Sequence, residues 1–511
     1  MTSRRRFLGL TGAATLAPLW PQSAIGQAKG PAPAAAPGRP KPGAKPEGVV
    51  VNDVQSQLNS TRVYKIVEPT DVDGIRAAIK LAHAEEKPLC ASGSRHSMGT
   101  QQFLTDGILV DTRKMAKVLK LDAERGLLEV EAGIQWPNLY DYLLTEQNGR
   151  AKQWTFAQKQ TGADRMTIGG SLSANIHGRG LAMPPFVNDI ESFTLVDHRG
   201  ELVRCSRERN GELFALAIGG YGLFGIVYSV TLRLVPRRKF ERVVQIRAAE
   251  SLPSAFAERI AGGFAYGDFY LSIDDRSDGY LGEGVFSCYR PLAEDAPPAP
   301  EVKALEEKDV ADILFLAHAN KPQAYRRLAG YYLQSSGQME WSDALQMSAY
   351  PENYHRDIDR RLQAPRGTEM ITELLCERER LPAFIQELRE YVKRNSIEVI
   401  GGAVRLVEQD RETFLAWARK PFACVALNVH IEHSTRGLIG AGDQFRRLID
   451  IALRHGGGWH PAYHRHALRR QVDYAFPQFM DFLRFKRKHD QKELFQSDWY
   501  RHYKSMFFFS Q

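Results

Sequence analysis

The sequence predicts an α+β chain of more than one domain, and three observations lead there. At 511 residues the chain is too long for a single hydrophobic core. Short β-rich runs alternate with amphipathic helical runs, yet no GxGxxG opens a strand–helix–strand unit, which argues against a doubly wound dinucleotide fold. After Pro236 the texture changes and a second series of strands and helices begins.

The elements follow in order. VYKIVEP reads as a strand, and DVDGIRAAIKLAHAEE repeats apolar residues at helical spacing behind an Asp start signal. GILVDTRKM and GLLEVEAGI are β-rich, while WPNLYDYLLTEQ carries Pro137 at a helix start. SFTLVDHRGELVRCS reads as two strands around a His-Arg-Gly turn. Beyond Pro236, KFERVVQIRAAE opens the second series, and Pro291 to Pro300 reads as a loop. Residues Ala311 to Leu333 are apolar at helical spacing, and GTEMITELLC, EVIGGAVRLVEQD and FACVALNVHIEH are strand candidates.

Composition narrows the function. With 43% apolar and 25% charged residues, no run approaches the ~18 apolar residues of a spanning helix, so no integral membrane segment is expected in the mature chain. A formal net charge of +8 is too mild to argue for nucleic acid. Arg4, Arg5 and Arg6 precede a modest apolar stretch and small residues near Ala24, Gly26 and Ala28, the pattern of a twin-arginine export signal. Residues 27–48 form a Pro/Ala/Gly linker that cannot bury apolar surface. The five cysteines lie far apart without CxxC pairing, so neither a zinc ribbon nor a disulfide framework is indicated.

Three glycine clusters carry the chemistry. SGSRHSMG, from Ser92 to Gly99, follows the apolar run KPLC. Its backbone N–H groups can wrap a diphosphate while His96 lies against a flavin ring. TIGGSLSANIHGRG (Thr167 to Gly180) and GGYGLFGIVYSVTLRLVP (Gly219 to Pro236) follow. In this order the clusters resemble the FAD-binding domain of the vanillyl-alcohol oxidase superfamily, the p-cresol methylhydroxylase (PCMH) type, nearest its aldonolactone and alditol oxidase branch.

That resemblance implies a two-subdomain FAD-binding domain over residues 49–236 and an α+β cap over 237–455. Residues 1–28 would be the export signal, 29–48 the linker, and 456–511 a segment returning to the flavin domain. FAD would lie against Ser92, Gly93, Ser94, Arg95, His96, Ser97, Thr161, Gly162, Arg165, Thr167, Gly169, Gly170, His177, Gly225, Ile226 and Val227. Family members with His directly before this Ser attach the flavin covalently, which implies a bond through His96. Arg95 stands where many relatives have Gly, so it is expected to point outward or pair with phosphate. The segment TGADRM lacks the Cys that a second covalent attachment would need.

On the substrate side AVRLVEQD resembles a strand of the polyol and aldonolactone oxidases and keeps its arginine as Arg405, with Ala403 in place of the accompanying acid. Asn428 and His430 share a strand face. The tail WHPAYHRHA places Tyr463 where the family has a lysine, with His460, His464, Arg465 and His466 around it. Arg405, His430, Tyr463 and His464 are therefore the catalytic candidates. His460 and His464 have i, i+4 spacing, but no HExxH or carboxylate cluster accompanies them, and no metal is expected. The expectation is an exported flavoenzyme that oxidises a CH–OH group of a sugar, polyol or lactone by hydride transfer. Its acceptor would be oxygen or, alternatively, a periplasmic cytochrome or quinone; a non-catalytic flavin-fold binding protein is a further alternative.

Overall fold

A computed structural model describes residues 48–293, 300–348, 351 and 353–508. Residues 1–28, read from the sequence as an export signal, nearly all of the stretch read as a linker, and residues 294–299 lie outside the described residues.

The first helix, Val72–Ala84, forms where the sequence places it. Asp71 caps it by accepting a hydrogen bond from the Gly74 amide at 2.8 Å, and Ile75, Ala78, Ile79 and Ala82 turn inward at helical spacing. They pack with a parallel three-stranded sheet in the order Lys65–Val67, Ile108–Asp111, Leu89–Ser92.

A second sheet runs Leu202–Ser206, Ile190–Val196, Ile226–Pro236, Leu127–Glu131, Val118–Asp122, with Trp154–Phe156 also pairing with Ile226–Pro236. Its first two strands are the expected hairpin around His-Arg-Gly, with Leu202 opposite Val196. The cluster beginning TIGG is a short helix, Ile168–Ala174, capped by Thr167.

Every strand of the third sheet follows Pro236. Its order is Met339–Trp341, Lys239–Ala248, Glu283–Pro291, Tyr266–Leu271, Val399–Val407, Phe422–Glu432, Gly367–Glu377, Gly458–Trp459, with antiparallel neighbours throughout. The apolar stretch from Ala311 becomes two helices, Glu307–Ala319 and Lys321–Gln334. They divide at Asn320, whose side chain caps the second, with Pro322 in its first turn. This pair roofs one face of the sheet, while Leu381–Arg394 and Thr435–Arg454 pack on the sheet from outside that chamber. No described helix is long and apolar enough to cross a membrane. All five cysteines are buried and unbonded.

The C-terminal segment returns to the three-stranded sheet. Leu89 donates to the Leu494 carbonyl at 2.8 Å and accepts from the Gln496 amide at 2.9 Å, which covers the open edge of Leu89–Ser92. The turn that permits this is held by Asp490. Its carboxylate accepts from the Leu494 and Phe495 amides, each at 2.9 Å, and pairs with the fully buried Lys486. Removing one partner of such a pair strands the other charge, so Asp490→Ala should cost about 3–5 kcal/mol of stability. Denaturant unfolding checks this; a loss within ordinary surface-mutation range would show that Lys486 reaches water.

Candidate active site

The three glycine clusters converge on one cleft, lined by Ser92, Gly93, Ser97, Gly169, Gly170, Gly225, Ile226 and Val227. The cleft opens at the carboxyl end of the strand Leu89–Ser92, where parallel strands present their loops. Gly93 and Thr167 touch so closely that a Cβ on Gly93 would overlap the Thr167 hydroxyl, which itself accepts from the Gly170 amide at 3.2 Å. Ser94 is not among the residues that line the cleft; its hydroxyl accepts from Gln135 Nε2 at 2.8 Å.

Arg95 departs from expectation. Its φ of +63° is the left-handed conformation that glycine adopts without strain, and its guanidinium is spent on Asp111, 3.1 Å away. Burial would raise the Asp111 carboxyl, but hydrogen bonds from Arg113 and the charges of Arg113 and Arg95 hold it below the usual range. Arg95 thus braces the loop from behind through a buried carboxylate.

His96 faces a neighbouring cavity of about 280 Å³, shared with Gly162 and Arg165. Its Nδ1 is buried without a hydrogen-bond partner. Burial pulls its pKa down to about 4, with the nearby Lys159 and Arg165 charges acting in the same direction, so the imidazole is neutral at physiological pH.

Beyond Gly162 lies a chamber of about 300 Å³ lined by Thr161, Gly162, Arg179, Tyr270, Ala403, Arg405, Asn428 and Tyr463, under Leu314 and Ala317 of the roof. Its floor is one face of the large sheet. Cross-strand register sets Tyr270 beside Ala403, Ala403 beside Ala426, Gly401 beside Asn428, and Ile371 beside Asn428. The small residues make the hollow. One end is charged: Arg179 Nε and Arg405 Nε each lie 3.6 Å from the buried Asp268, and the buried Lys159 pairs with Asp164. Burial pulls the Lys159 ammonium down, and Asp164 opposes it. Tyr463 accepts from Gln160 Nε2 at 3.1 Å; burial and the Glu373 charge push its phenol far up, so it stays protonated.

Three expected site residues are corrected. His177 lines none of these cavities; its Nε2 lies 2.7 Å from Glu373, both side chains being buried. Burial would raise Glu373, but His177 and more distant charges bring it to about 2. His464 lies on the opposite side of the sheet. It stacks on Phe445 and meets the hydroxyl of Thr372, which alternates away from Ile371 and Glu373. His430 shares the floor face with Asn428, as read, but one residue pair further along it is turned to Glu369, 3.3 Å away. His460 is buried against Trp417, with burial lowering it to about 4. Lys159, Gln160, Arg179, Asp268 and Glu373 gave no sequence signal, because each stands alone in its segment and meets the others only in the fold.

Residues 64–206 match a family described as an FAD binding domain. L-gulonolactone oxidase of Bos taurus is 30% identical over 171 residues, 33% of this chain and 37% of that protein. L-galactono-1,4-lactone dehydrogenase, mitochondrial, of Arabidopsis thaliana is 32% identical over 176 residues, 34% of this chain and 27% of that protein. Cytokinin dehydrogenase 4 of Oryza sativa subsp. japonica is 28% identical over 196 residues, 35% of each. The chain thus spans about a third of the length of these relatives. It carries an FAD-binding domain within an α+β fold. The residues present fit that cofactor: the cleft is lined by Gly93, Gly169, Gly170 and Gly225, Gly93 packing against Thr167 too closely for a Cβ, and His96 Nδ1 is unpartnered in the neighbouring cavity.

Gly93→Ala should therefore lower FAD affinity at least tenfold while Arg405 and the chamber remain in place. Flavin content per chain after gel filtration checks this, and full retention would show that Thr167 yields.

Proposed function

We propose that the protein is an FAD-dependent oxidoreductase that oxidises a CH–OH group of a sugar lactone or related polyol. The observation that carries the reading is the set of unpartnered buried polar atoms at the chamber's charged end. Thr161 Oγ1, Arg179 Nε and Arg405 Nε belong to lining residues, and Asp268 Oδ1 and Glu373 Oε2 are also unpartnered. Buried polar groups are normally satisfied, and several left open around one cavity call for a polar ligand. The resemblance to an L-gulonolactone oxidase and an L-galactono-1,4-lactone dehydrogenase supports the substrate class.

FAD held in the cleft of Ser92, Gly93, Gly169, Gly170 and Gly225 would supply the hydride acceptor. Arg405 supplies a fixed positive charge that holds and orients the substrate oxygen. Tyr463, kept protonated, donates a hydrogen bond to that oxygen and is no base at neutral pH. Asn428, on the same floor, orients a second hydroxyl or carbonyl. His96, neutral and unpartnered, is suited to hold the flavin covalently. We further assign the chain to export through the twin-arginine route, on the strength of Arg4, Arg5 and Arg6.

One observation favours an acceptor other than oxygen. Thr161 stands in the chamber wall beside Gly162, bulkier than the Gly or Ala that would leave oxygen a path. The relatives include both an oxidase and dehydrogenases, so a periplasmic cytochrome or quinone remains the second reading.

Anaerobic mixing with aldonolactones, aldoses and polyols should bleach the flavin, and no bleaching across the set would overturn the activity. With the best of these, Arg405→Ala should keep its flavin but reduce it at least a hundredfold more slowly, about 2.7 kcal/mol of transition-state stabilisation. A normal rate would return Arg405 to a structural role. Acid-precipitated wild-type protein should stay yellow and His96→Ala should release its FAD; recovery of all wild-type flavin in the supernatant would show that His96 only lines the cavity.

A further inference from the structure

Away from the charged end of the chamber, four side chains from three elements surround one carboxylate. Glu369 Oε1 lies 3.0 Å from His318 Nε2 and 3.3 Å from His430 Nδ1. Its other oxygen lies 2.8 Å from His355 Nδ1 and accepts from the Tyr354 hydroxyl. The His318 side chain is only 6% exposed, yet its Nε2 has no hydrogen-bond partner: it faces Oε1 without hydrogen-bond geometry. Two imidazole nitrogens, from His318 and His430, thus converge on one carboxylate oxygen.

We infer that His318, Glu369 and His430 form a binding site for a divalent cation of the zinc class. The three donor atoms all lie within 4.8 Å of one another. For metal–nitrogen and metal–oxygen bonds of about 2.0–2.1 Å, the edge of a tetrahedron is about 3.3 Å, close to the two spacings that involve Oε1. Two imidazoles and one carboxylate form a borderline-soft set that suits zinc better than calcium or magnesium, and it leaves a fourth position open. His355 and Tyr354 supply the outer support that ligating carboxylates usually have, fixing Oε2 so that Oε1 turns inward.

The fold builds this place deliberately. Glu369 and His430 are directly opposite on neighbouring strands, and the His430 ring lies over Gly367, where any Cβ would run into it. His318 follows Ala317, a residue of the chamber roof. A cation here would therefore tie the roof helix Glu307–Ala319 to the floor, next to the Ile371–Asn428 pair that lines the chamber. The site does not depend on the reading of the reaction.

The test uses the untagged full chain as purified, stripped with a chelator and titrated with Co²⁺, a probe whose visible absorption reports four-coordinate nitrogen and oxygen ligation. One equivalent should bind, Zn²⁺ should displace it, and the melting temperature should rise with either metal. His318→Ala leaves Glu369 still partnered by His355, His430 and Tyr354; it and Glu369→Gln should each weaken binding more than tenfold, with the flavin spectrum unchanged as the control for folding. Cys424→Ser should bind as wild type, which separates this site from the second grouping of His177, Glu373 and Cys424. Absence of saturable binding, equal binding by His318→Ala, or loss of binding in Cys424→Ser would each overturn the assignment.

Discussion

A side-chain period of two, held in register across four antiparallel strands, is the constraint on which the site depends. Tyr266–Leu271, Val399–Val407, Phe422–Glu432 and Gly367–Glu377 lie side by side, so their alternate residues form a single floor. Gly401, Ala403 and Ala426 sit together near its centre and leave the hollow. Asp268 and Arg405 fall at one end, Glu369 and His430 at the other. A slip of one residue in any strand would exchange the floor for the face that carries Thr372 and packs toward His464.

The charged end is expensive to bury. Lys159, Arg179, Arg405, Asp164, Asp268 and Glu373 compensate one another only in part, and several of their atoms have no partner. Such an arrangement persists when the surrounding packing over-determines it and a ligand completes it. The large sheet provides that packing, with Phe269, Val404 and Val425 fully buried in it.

The C-terminal segment links the cleft and the chamber. Tyr463 reaches the chamber, while Leu494 to Gln496 pair with Leu89 at the base of the glycine loop. The strand that leads into the cleft and the tyrosine in the chamber wall are thus fixed by one stretch of chain, whose course turns on the buried Lys486–Asp490 pair.

The sequence by itself determined what local physics can specify. Helical spacing behind Asp71, the hairpin around His-Arg-Gly, the strands of the cap and the three glycine clusters were all legible, because caps, turns and periodicity act over a few residues. Arg405 and Tyr463, singled out through a resemblance, and Asn428, singled out through strand alternation, all line the chamber. Tertiary structure alone decided the rest. That His464 lies behind the floor, that His177 is committed to Glu373, and that His430 meets Glu369 follow from strand register and from pairings 196 and 61 residues apart. Arg95 keeps its left-handed backbone by reaching Asp111, 16 residues on. No local pattern encodes such contacts, since each residue's neighbours in space are chosen by how whole strands align and not by the residues beside it in the chain.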